Sequence, residues 1–316
     1  MRVHAIIAHR LTSIAVVTAI VLLLPLLFPS AYYYRVAALV LIFALAAVGL
    51  NLLMGFAGQV SLGHAGFLGI GGYAVAIGAT HLGIPSWLCL IGGAALSGLI
   101  AFLVGRPILR LKGHYLAVGT LGFGMLIAIV LTNEATWTGG PDGMQVPTLT
   151  LFGWRVRGSV TWYWIAAASF IVGAVLAFNL IDSPTGRALQ AIHDSEVASS
   201  MLGVDVARLK LAAFVVSAVY ASVAGSYLAL FNGHITPDIS GFLRSIELVA
   251  MVVLGGMGSI LGSLVGAAVL VVLPQTLTAL HDYEQAALGL LLMGFMIFLR
   301  RGIVPSLAGV FSGRPT

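Results

Sequence analysis

Asn51, Gln59, Ser61 and His64 fall within fourteen residues of otherwise apolar, glycine-dense sequence, GLNLLMGFAGQVSLGHAGFLGIGGYAVAIG at positions 49–78. An amide, a hydroxyl and an imidazole so close together could line a polar path or hydrogen-bond between packed helices. Bond-making chemistry has less support. The imidazole has no accompanying metal-ligand cluster, and the chain carries neither a GxSxG nucleophile elbow nor a GxxxxGK[ST] phosphate loop. Elsewhere, Arg244 and Glu247 stand three residues apart and read as a structural ion pair on one helix face near the outer mouth.

The composition sets the solvent in which these groups sit. Over 316 residues, 60% are hydrophobic and 8% charged, with a mean hydropathy of +1.08. That is more apolar surface than a water-soluble core can hide, and its runs approach the ~20 residues that cross a hydrocarbon layer. The runs are continuous in Leu, Ile, Val and Ala, which favours helices over the alternating strands of a barrel. An all-α polytopic membrane protein follows, a single domain over 1–316. About ten spans are expected, near 11–28, 35–54, 60–80, 86–105, 114–132, 161–181, 209–230, 245–257, 259–279 and 285–299. The first run, closed by Pro25, Pro29 and a tyrosine belt, reads as a span and not as a cleaved signal.

With both termini cytoplasmic, eleven of the fifteen basic residues lie inside, as the positive-inside bias requires. The net charge of +5 is then topological and not a nucleic-acid footprint. Cys89 is the single cysteine, so no intrachain disulfide is possible. Two longer polar segments remain, an outer loop at 133–160 and a cytoplasmic loop at 182–208. The outer TWTGGPDGM is turn chemistry, and His114 with Tyr115 reads as a headgroup anchor.

In bilayer-embedded helices glycine permits close backbone approach. Gly63, Gly66, Gly69 and Gly72 recur every three residues, so the row slips about 60° per step and cannot form one straight seam. Several neighbours should crowd that helix. Gly258, Gly262 and Gly266 recur every four and read as a seam for one tight crossing, preceded by a break at LGGMG. Two glycine-broken segments of this kind can expose backbone to a cavity. Asn51, Gln59, Ser61 and His64 would be unfavourable facing lipid, so they either bond neighbouring helices or line a translocation path.

The cytoplasmic loop reads DSPTGRALQAIHDSEVASSMLGVDVARLK. Asp182 or Ser183 can cap a helix with Pro184 in its first turn, and Asp194 can cap a second, over 195–202, ended by Gly203. Two helical turns are marginal in water and need a surface to dock on. Ser195, Glu196, Val197, Ala198, Met201, Leu202 and Gly203 are the candidate docking residues, on another protein or on this chain's own membrane domain.

Taken in order, GLNLLMGFAGQVSLGHAGFLGIGGY, LKGHYLAVGTLGFG, TGGPDGM, the cytoplasmic loop and ITPDISGFLRSIELVAMVVLGGMGSILG resemble the LivM-type permease subunits of branched-chain amino acid ABC importers. Glu196, Ala198 and Gly203 approximate that group's Glu-Ala-Ala and glycine pattern, with Val197 in the second place. Met125 departs from the acidic residue that relatives often carry after TLGFG. The resemblance implies a heterodimer with a LivH-type permease, two cytoplasmic ATPases docking on 195–202, a periplasmic binding protein, and a multi-pass location in the bacterial inner membrane. This chain would bind no cofactor and no metal, with ATP and Mg used by the ATPases, and would import Leu, Ile or Val by alternating access. Permeases for urea, short amides or other amino acids, and an ion-coupled secondary transporter, are the alternative readings.

Overall fold

The computed structural model describes residues 18–111, 113–151 and 154–276, together with 289, 293–294 and 302–306. Among these, ten helices carry the architecture. They are α1 (Ala31–Asn51), α2 (His64–Thr80), α3 (Ser86–Ile108), α4 (His114–Asn133), α5 (Ser159–Asp182), α6 (Pro184–Asp194), α7 (Glu196–Met201), α8 (Val206–Asn232), α9 (Phe242–Gly255) and α10 (Ile260–Thr276). Two small antiparallel pairs join β1 (Met144–Gln145) to β4 (His234–Ile235) and β2 (Thr150–Leu151) to β3 (Trp154–Arg155).

Five helices are long and apolar enough to cross a membrane: Ala31–Phe56, in which α1 runs on through a π turn, and α3, α4, α5 and α8. The expected ten spans are met only in part. The run at 60–80 yields a helix of 17 residues, because the chain between Ala57 and Gly63 is not helical. The run at 245–257 yields one of 14 residues. Residues 11–17 and most of 285–299 lie outside the described residues, and 18–28 is helical over 18–23 and ends in a 3-10 turn at Leu24–Leu27.

The helices sort by burial. Of the most apolar window, 89% is buried in the α1 span but only 22% in α4 and 28% in α3. So α1 is the core, and α3 and α4 turn apolar side chains such as Leu99, Leu103, Leu126 and Ile129 outward, as a hydrocarbon surround demands. Small residues let the centre close. A Cβ on Gly71 would stand 2.0 Å from the Ser222 carbonyl oxygen, and one on Gly225 would stand 1.9 Å from that of Leu68, so α2 and α8 cross backbone to backbone. α1 and α8 run antiparallel. Arg35 stacks over Phe231 at 5.9 Å at one end, while Gly58 abuts His193 of α6 at the other.

Candidate functional site

The break between α1 and α2 is made by the π turn Leu52–Phe56 and by Gly58 at φ +66°. The Gln59 amide donates back to the Leu53 carbonyl at 3.0 Å, closing the turn. All four candidate path residues are buried, yet their partners differ.

Asn51 is fully engaged. Its Nδ2 donates to the Ser259 carbonyl at 2.8 Å and to Ser263 Oγ at 2.9 Å, and its Oδ1 accepts from the Gly258 amide at 2.9 Å. It pins the end of α1 to the α9–α10 turn. His64 Nε2 lies 2.6 Å from Ser217 Oγ, which donates to the Gly49 carbonyl at 2.6 Å, and Nδ1 lies 3.5 Å from Ser61 Oγ. A proton on Nε2 satisfies the whole chain, because the single Ser217 proton goes to Gly49 and Ser61 donates to Nδ1. Gln59 is the exception. It is 2% exposed, and among the described residues neither Oε1 nor Nε2 of its side chain has a hydrogen-bond partner.

The glycine row contacts several elements in turn. Gly63 and Gly66 lie against Thr120 and Gly124 of α4, Gly69 against Ser240, and Gly72 against Ile235 and α8. The second row differs from expectation. Gly258 has φ +77° and belongs to the turn before α10, beside Gly55, so only Gly262 and Gly266 face α9, at Gly255 and Met251. A four-residue spacing is shared by helix seams and by turns that precede a helix, and the positive φ takes Gly258 out of the seam.

At the end of the molecule that holds α6, the short helix α7 forms as expected, but Ser195, not Asp194, caps it. Ser195 Oγ accepts from the Ala198 amide at 3.2 Å, while Asp194 completes α6. Extended backbone at Ser195 aims its hydroxyl at the helix start, which a residue still inside α6 cannot do. Ser183 caps α6, accepting from the Gly186 amide at 3.1 Å. The sequence reading missed Lys210, whose ammonium pairs with Glu196 and ties α7 to the base of α8. Val197, Met201 and Leu202 are 69%, 83% and 83% exposed, an apolar knob that no other described residue covers, and Gly203 ends it at φ +81°. Ser199, on the other face, is buried.

Level with the middle of the α1 span, Arg244 pairs with Glu247 at 2.5 Å and lies over the Phe43 ring at 5.3 Å. The pair forms as read, but deeper than a surface mouth, because Phe43 sits midway along the α1 span and the adjoining Ser245 Oγ accepts from Ala65 at the start of α2. Beside Arg244 opens a cavity of about 300 Å³ lined by Asn232, His234, Thr236 and Asp238 with Leu228, Ala229, Ile235 and Ile239. Among the described residues no cluster of three or more His, Cys, Asp or Glu could hold a metal ion.

The family model described as the permease component of the branched-chain amino acid transport system matches residues 32–300. The chain is 34% identical over 294 residues to the high-affinity branched-chain amino acid transport system permease protein LivM of Salmonella typhimurium, covering 85% of this chain and 69% of that one. The Escherichia coli protein of that name gives the same identity and coverage. To LivH of Salmonella typhimurium it is 28% identical over 250 residues, 72% of this chain and 79% of the relative. No solved structure matches. A permease model spanning nearly all the described helices, and a relative matched along most of both chains, place this chain in the branched-chain amino acid transport permease family.

Proposed function

We propose that this chain is one permease half of an ATP-driven importer that carries Leu, Ile or Val through the cytoplasmic membrane by alternating access. The α7 end then faces the cytoplasm, both termini lie on that side, and the spans number about ten once the outer segments of the chain are included. A LivH-type permease completes the pore, two ATPases using ATP and Mg drive it, and a periplasmic binding protein supplies the cargo.

The observation that carries the reading is the exposed knob of Val197, Met201 and Leu202 on a helix clamped to α8 by Glu196 and Lys210. Apolar side chains on a short helix fit a groove in a partner. Movement of α7 passes directly into α8, which meets the broken core at Ser217, Ser222 and Gly225. Packed interfaces of this kind shift between discrete arrangements and do not deform smoothly. An ion-coupled mechanism draws little support, since the buried His64 is closed into a chain with Ser217 and Gly49.

Reconstitution tests it. Proteoliposomes with both permeases, both ATPases and leucine-loaded binding protein should accumulate labelled leucine only with ATP. Uptake by this polypeptide alone, driven by an ion gradient, would overturn the proposal.

A further inference from the structure

We infer that the cavity between the end of α8, β4 and the first turn of α9 holds the cargo as a zwitterion during transit, with Arg244 at its carboxylate and Asp238 at its ammonium. This rests on the importer reading and adds to it a place and a chemical class. Four observations converge. The cavity, about 300 Å³, is at the small end of ligand sites, which run from about 300 to 1,000 Å³, so it suits a single small molecule and not a peptide.

Its lining carries both signs of charge, and among the described residues no ion pair joins Asp238 to Arg244. Among the described residues Asp238 has no ion-pair partner, and Arg244, although paired with Glu247 through Nη1, keeps its Nε without one. The lining also includes Leu228, Ala229, Ile235 and Ile239, an apolar surface for an aliphatic side chain. Finally, Arg244 stands over the ring of Phe43, midway along the α1 span, so the cation that lines the cavity lies level with the middle of the core helix.

The capture is weak by construction. Glu247 already accepts from Arg244 Nη1, while Nε of the same guanidinium is buried with no partner. A cargo carboxylate would share a cation that is partly neutralised, which gives recognition without trapping. The structure attaches that weakness to a particular Arg–Glu pair.

The test uses the assembled transporter in proteoliposomes, free of other cysteines and carrying Cys89→Ala with Thr236→Cys. The rate of labelling by a membrane-impermeant maleimide is read with and without millimolar leucine. Leucine should slow labelling several-fold. 4-Methylpentanoate, which lacks the ammonium, and 3-methylbutylamine, which lacks the carboxylate, should not. Asp238→Asn and Arg244→Gln should each abolish the protection, and Arg244→Lys should restore part of it.

Co-purification of both permeases shows that the variants assemble. Should Arg244→Gln fail to assemble, Asp238→Asn alters an exposed side chain and carries the test. Protection by 4-methylpentanoate equal to that by leucine would overturn the zwitterion site. Leucine uptake with no protection would overturn the site and leave the importer reading standing. No leucine uptake, but protection by another amino acid such as glutamine, would uphold the site and overturn the choice of cargo.

Discussion

At the scale of single residues, four polar groups in one broken segment do different work. Asn51 makes three hydrogen bonds across the α1 to α9–α10 junction. Asn51→Ala should cost about 2 kcal/mol, taking about 0.6 kcal/mol per bond within a membrane bundle. Thermal denaturation of the detergent-purified complex reads this, and an unshifted midpoint would remove the role. Gln59 has the opposite signature, buried with both amide atoms unpartnered. Gln59→Leu should raise stability by about 1 kcal/mol, since a buried unsatisfied amide carries a desolvation penalty of about 1–3 kcal/mol. If Gln59 lines the path, leucine uptake per folded molecule should nevertheless fall. Equal uptake would assign it to packing alone. The sequence picked out these four residues by their cost in lipid. It could not distinguish them, because the partners Ser217, Ser259 and Ser263 lie roughly 150 to 210 positions away and look like ordinary small residues.

At the scale of elements, close crossing decides which glycines matter. Gly71→Ala drives a methyl group into the Ser222 carbonyl and should cost about 3 kcal/mol or more, the upper range for overpacking. Gly92, with no atom within 4 Å of its missing Cβ, should tolerate Ala within about 0.5 kcal/mol. Accumulation of folded protein in membranes separates the two, and equal losses would refute the α2–α8 crossing. Long helices were legible because unbroken apolar runs have one physical meaning. Two kinds of detail were not. The start of α2 fell four residues late because Val60 to Gly63 stay apolar enough to mimic a span. The β1–β4 pair was hidden because two-residue strands have no periodicity to read.

For the whole molecule, the question is how force enters and where it goes. Met201→Asp with Leu202→Asp should abolish ATPase co-purification while the permease pair still assembles, because both side chains are fully presented and support no internal packing. Lys210→Ala should uncouple more than it unbinds, by freeing α7 from α8. ATPase association should persist while leucine uptake per ATP hydrolysed falls several-fold. Retained coupling in that variant would mean that force reaches the core by another route.

The outer loop and the cavity wall are one piece of cloth. Met144 and Gln145 are stitched to Ile235 and His234, and the Val146 amide donates to the Gly233 carbonyl at 2.9 Å, directly beside Asn232 and Thr236. In the proposed orientation, a binding protein that alights on that loop takes hold of the rim of the proposed cargo cavity. Handing over the cargo and tugging open its receptacle become a single gesture.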